Sequence, residues 1–159
     1  MSRQFLARGI ALLHPAALTM IWILCGVMPV TADVPAASLV LIALICGWAW
    51  AVYTISTAKA AQDGLPRWTP WIFLAPPVLA VIAEIASLPT SNSPVALLIF
   101  GTLFLGLWRA AQALEYADPQ GKPVTVGRIL ATMLLMFFAI VGFWWLRHRI
   151  VRVAGSPAA

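Results

Sequence analysis

From Pro35 to Ala58 the chain reads PAASLVLIALICGWAWAVYTISTA, without one charged side chain. At about 1.5 Å of rise per residue, a helix of that length reaches across the roughly 30 Å hydrocarbon layer of a bilayer. It is too long for a strand. Similar apolar runs recur at 10–30, 68–88, 94–114 and 127–147, with charge gathered at their ends. Of the 159 residues, 62% are hydrophobic and 9% are charged, where a soluble domain carries about 25% charged residues. Too few polar groups exist to face water, so lipid must cover most of the surface. The expectation is an all-α, polytopic helical membrane protein, a single transmembrane domain over 1–159 with spans at 10–30, 36–58, 68–88, 94–114 and 127–147.

The fifth run carries an alternative. Its uncharged part, Ile129 to Leu146, makes about 27 Å of helix, barely enough to span. Four spans plus a re-entrant or interfacial C-terminal helix is therefore the competing architecture. The first run also has two readings. Arg3, Arg8, an apolar core and Val30-Thr31-Ala32 fit a cleaved signal peptide, but the stretch is long for one, and an uncleaved first span is favoured.

Ten Lys and Arg oppose five Asp and Glu, a net charge of +5. The basic residues close apolar runs rather than forming a tract, which fits the positive-inside bias of membrane proteins and gives no nucleic-acid partner. With the N-terminus in the cytoplasm, Lys59, Arg67, Arg109, Lys122 and Arg128 fall there too. Five spans leave Arg147, Arg149 and Arg152 outside; a re-entrant fifth run brings them back. Five spans is the preferred count, partly because it gives Glu84 a cation. Glu84 lies near the outer end of the third run, where a half-buried carboxylate gains from Arg147 or Arg149.

Few residues offer chemistry. No nucleophile, acid or base has a partner at a recognisable spacing, and no HExxH, GxSxG, Walker or GxGxxG pattern occurs. His14 reads as a polar residue before a helix start, and His148 as a headgroup-facing residue among arginines. Glu115 and Asp118 share a loop with Lys122 and read as a solvated turn. Cys25 and Cys46 lie inside apolar runs, without metal or redox spacing. No catalytic residue, metal or cofactor is expected; a pigment or quinone site at Trp48 and Trp50 is a minor alternative. Pro76-Pro77 removes two backbone donors and should kink the third helix near its middle. Ala43, Gly47 and Ala51 recur every four residues on one helix face, where small side chains let helices approach closely.

Two segments resemble each other: WAVYTISTAKAAQDGLPRW from Trp50 and LWRAAQALEYADPQGKPV from Leu107. Each closes an apolar run, passes an Ala-rich end with Gln, and breaks at Asp, Gly and Pro, as two hairpins of similar build would.

From Trp108 onward, an Ala- and Leu-rich helix end with Glu115 precedes an aromatic run. That run holds Phe137, Phe138, Gly142 and Trp144 and closes on Arg147, Arg149 and Ile150. This stretch resembles a pattern in small, uncharacterised bacterial polytopic inner-membrane proteins, which often carry Pro where this chain has Val141. The resemblance implies a multi-pass protein of the cell inner membrane and no particular activity. The expected function is a non-enzymatic accessory, assembly or structural subunit, in contact with membrane lipids and either a larger membrane complex or further copies of itself. The alternative is a small transporter or a lipid- or small-molecule-handling protein with its site at Pro76-Pro77 and Glu84.

Overall fold

A computed structural model describes residues 3–11, 13–32, 35–60, 69–87, 94–118 and 123–155. Arg67, Lys122 and the turn residues 88–93, like the side chain of Cys25, lie outside the described residues. The helices are α1 (Arg3–Ala11), α2 (Pro15–Ala32), α3 (Pro35–Ala60), α4 (Ala75–Ile85), α5 (Pro94–Ala117), α6 (Val126–Phe137), α7 (Ala139–Trp145) and α8 (Arg147–Gly155). A short 3-10 helix, Thr69–Phe73, precedes α4. No strand occurs among the described residues, and the all-helical expectation holds.

The ends of these helices follow from local chemistry. Pro15 occupies the first turn of α2, where its missing N–H costs nothing, and His14 Nδ1 accepts from Ala16 N at 3.2 Å. Thr125 caps α6, its hydroxyl accepting from Arg128 N at 3.4 Å, as a residue just before a helix commonly does. After α5 comes Asp118-Pro119, and a residue before proline is pushed out of the helical region.

α3 and α5 form the central pair. Both helices bury small residues: Ala49 and Ala51 in α3, and Gly106, Ala110, Ala111 and Ala113 in α5. In lipid, close packing of this kind joins helices where the hydrophobic effect cannot. α1 packs on α3, α4 and α6 pack on α5, and α2 packs on both α3 and α7. Trp48 fills the centre, edge-on to Phe143 with ring centroids 4.8 Å apart.

Five apolar runs do not become five straight spans. Among the described residues two helices are long and apolar enough to cross a membrane, 38–59 within α3 and the whole of α5; a bent pair, α6 with α7, makes a third if it counts as one span. Of the first run, Pro15–Leu24 counts as a shorter apolar helix; the third and fifth runs fall short for physical reasons. In the third run, Pro70, Pro76 and Pro77 do not kink one continuous helix. They divide it: the 3-10 turn ends at Phe73, and Pro76-Pro77 sits in the first turn of an 11-residue helix, only about 16 Å long. In the fifth run the chain turns by 115° between α6 and α7. The turn falls at Phe138, whose φ of −80° and ψ of 65° leave the helical region. Gly142 permits it, because a Cβ there would overlap the backbone carbonyl of Leu135.

Candidate functional site

Glu115 lies in the last turn of α5 with 1% of its surface exposed. Asp118 follows three residues later, just beyond the helix end and also buried. A buried carboxylate is costly unless its oxygens are paired, and here two helices, α6 and α8, supply the partners. From α6, Arg128 places Nη2 2.7 Å from Glu115 Oε2, and Thr132, one turn further on the same face, donates from its hydroxyl to Oε1 at 2.5 Å. From α8, Arg149 Nη1 donates to the same Oε1 at 2.6 Å. The remaining edge of that guanidinium turns to Asp118: Nε donates to Oδ2 at 3.2 Å and Nη2 to the backbone carbonyl at 3.2 Å. Arg152, one turn beyond Arg149, donates from Nη1 to Asp118 Oδ1 at 3.3 Å.

This spacing is matched across the interface. Two acids three residues apart near the end of α5 meet two arginines three residues apart on α8, and i, i+3 residues share a helix face. The planar guanidinium of Arg149, with five fixed donors, serves both carboxylates at once as a lysine could not. Burial works against the charge of Arg149, but the hydrogen bond and field of Glu115, reinforced by Asp118, more than offset it, so its pKa lies above the ordinary arginine value.

The network explains the bend. A straight helix from Arg128 to Arg149 would separate their Cα atoms by about 31 Å. Both guanidiniums instead reach one carboxylate. The last apolar run therefore leaves the Glu115 end of the bundle, turns at Phe138 and comes back. Trp144 on the returning arm donates from Nε1 to the Thr19 hydroxyl of α2 at 3.3 Å and lies edge-on to His14, ring centroids 6.3 Å apart. The start of α2, the end of α5, the start of α6 and α8 thus gather at one end of the molecule.

The reading of Glu115 and Asp118 as a solvated turn is overturned by their burial. Arg149, singled out from the sequence, does hold a carboxylate, but the partners are Glu115 and Asp118. Glu84 lies exposed near the end of α4, and among the described residues it enters no ion pair. Arg147 is half-buried at the start of α8 and takes no part in the network; His148 is exposed. No group of three or more metal-ligating side chains occurs among the described residues.

A second feature lies where the third run breaks. Gly47, Cys46, Ala43 and Trp50 of α3 face Pro70, Trp71, Phe73, Leu74 and Pro77 across a cavity of about 530 Å³. The small-residue stripe on α3 is therefore divided: Ala51 is fully buried in the bundle, Gly47 is half-buried and Ala43 exposed. A Cβ added at Gly47 would meet nothing within 4 Å, so this part of the stripe is not a tight contact within the chain. Of the two tryptophans considered for a pigment, Trp48 is buried in the core and Trp50 lines the cavity.

Comparison with known proteins adds no family or relative: no family model, no curated protein and no solved structure matches the chain.

Proposed function

We propose that the chain is a multi-pass membrane protein of the non-enzymatic kind, an accessory or assembly subunit whose C-terminal hairpin is re-entrant. The observation that carries this reading is the grip on Glu115 by Arg128 and Arg149 from the two ends of the last apolar run. In this arrangement the carboxylates best placed for chemistry serve as anchors, because each is held by guanidinium groups rather than poised beside a nucleophile or an open cleft. The tail returns to the side where α5 ends. Arg109, Arg128, Arg147, Arg149 and Arg152 then share the cytoplasmic side with the N-terminus, as the positive-inside rule favours. Localisation in a bacterial inner membrane is part of the same proposal and rests on the resemblance of the C-terminal stretch.

The hairpin is the element a partner would meet. Its outward face carries Leu134, Phe138, Val141 and Trp145, all exposed, and its position depends on the ion pairs behind it. Purification in mild detergent should give either a defined larger complex or a homo-oligomer. Arg149→Gln should release the hairpin and lose that association while the α3–α5 pair stays folded. A strictly monomeric protein, or an assembly indifferent to Arg149→Gln, would count against the proposal.

A further inference from the structure

The cavity between α3 and the broken third run has the build of a ligand site rather than of a packing defect. Its walls are fixed by contacts outside it. Phe73 is buried and tilted against Tyr53, ring centroids 5.4 Å apart. The neighbouring Ile72 and Phe73 pack so closely on Gly106 of α5 that a Cβ there would lie 3.3 Å and 3.4 Å from them. Pro76, next to the lining residue Pro77, is fully buried. The space exists because the sequence makes it: proline replaces α-helix by a 3-10 turn on one side, and Gly47 withholds a side chain on the other.

The chemistry of the lining selects the occupant. Among the described residues that line the cavity none carries a charge, and three are aromatic. Small-molecule sites are concave and mostly apolar, of about 300–1,000 Å³, and an apolar cavity of about 150 Å³ already stays dry and takes up benzene. At about 530 Å³ this one has room for more than a single ring. One wall belongs to α3, a helix long and apolar enough to cross a membrane, and that wall is Ala43, Cys46, Gly47 and Trp50.

We infer that the groove lined by Gly47, Trp50, Trp71 and Leu74 holds one hydrocarbon chain of a membrane lipid. The inference rests on the membrane-embedded reading above. The chain lies along the face that Gly47 leaves bare, with the Trp50 and Trp71 rings as its side walls, and it enters from the bilayer.

The test uses the full chain reconstituted in phosphatidylcholine vesicles containing a phospholipid with a photoactivatable group midway along one acyl chain. Irradiation is followed by mass-spectrometric mapping. Labelling is expected to concentrate on Cys46, Trp50 and Leu74, above the level at Leu97 and Phe100, which are exposed on α5. Gly47→Phe should fill the groove and remove the concentrated labelling while leaving that at Leu97 and Phe100. Trp71→Ala removes a side chain that is 70% exposed, so it spares the core, and it should lower groove labelling alone. Groove labelling no higher than at Leu97 and Phe100, or unchanged in both variants, would overturn the inference. So would chain-to-chain products at Trp50 or Trp71, which would make the occupant a second copy. Absence of label at Leu97 and Phe100 as well would instead sink the membrane-embedded reading.

Discussion

Two apolar runs of this molecule are broken, and the breaks have opposite outcomes. In the fifth run the chain turns by 115° at Phe138, and its ends are drawn together by Glu115, Asp118, Arg128, Arg149 and Arg152. In the third run the break before Ala75 leaves a cavity of about 530 Å³. Proline made the second break and glycine permitted the first, but neither residue decides whether a break closes. The difference lies at the run ends. The fifth run has arginines near both ends and a buried carboxylate between them. Among the described residues, the third run has Glu84 near its end, exposed, and Pro70, Trp71 and Leu74 near its start. The turned run closes on its own chain where buried charges need one another; the other break leaves a cavity.

The comparison can be broken first at Gly142. Gly142→Leu sets a side chain into the carbonyl of Leu135, and neither arm of the hairpin can move away without leaving the ion pairs. The expected loss of stability exceeds about 5 kcal/mol, read as failure to give a monodisperse protein in mild detergent. Next comes Arg149→Gln, which leaves Glu115 and Asp118 short of their shared donor; breaking a buried pair from one side costs about 3–5 kcal/mol. Denaturation in detergent should register it, and Arg149→Lys should recover only part, since one ammonium cannot serve two carboxylates. Thr132→Val removes one hydroxyl donor to Glu115 and should cost about 1–2 kcal/mol. Arg152→Gln touches a pair whose arginine side chain is 53% exposed, so less than about 1 kcal/mol is expected. Smallest of all, Gly47→Ala enters open space and should change stability by less than about 0.5 kcal/mol. Equal sensitivity at Gly47 and Gly142 would erase the contrast between the two breaks.

Much of the helical plan is legible before the fold is known. The uncharged stretch from Pro35 to Ala58 becomes α3, and Asp118-Pro119 ends α5. His14 caps the helix it precedes. Pro76-Pro77 does mark a break, although the pair opens a helix instead of bending one. The turn at Phe138 was harder to see. The stretch ILATMLLMFFAIVGFWW has no proline and no polar residue beyond Thr132, and its one local sign is Gly142, whose role depends on a neighbour across the turn.

The ion-pair network was hidden for a related reason. Glu115 and Arg149 are 34 residues apart, and beside Asp118, Gly121 and Lys122 the glutamate looks like part of a wet loop. The available signal was the paired spacing: acids at 115 and 118, arginines at 149 and 152, and Thr132 one turn after Arg128. Read together, these match two helix faces to one another. They also favour the re-entrant alternative that the charge distribution had already raised.

The most direct test of this account is the side on which the C-terminus lies. A reporter active on only one side of the membrane can be fused after Ala159 and compared with the same reporter placed in the loop after α5, at Gly121. The re-entrant hairpin predicts that both report from the same side, the cytoplasm. A C-terminus on the opposite side from Gly121 would require the last run to cross the bilayer and would contradict the joint grip of Arg128 and Arg149 on Glu115.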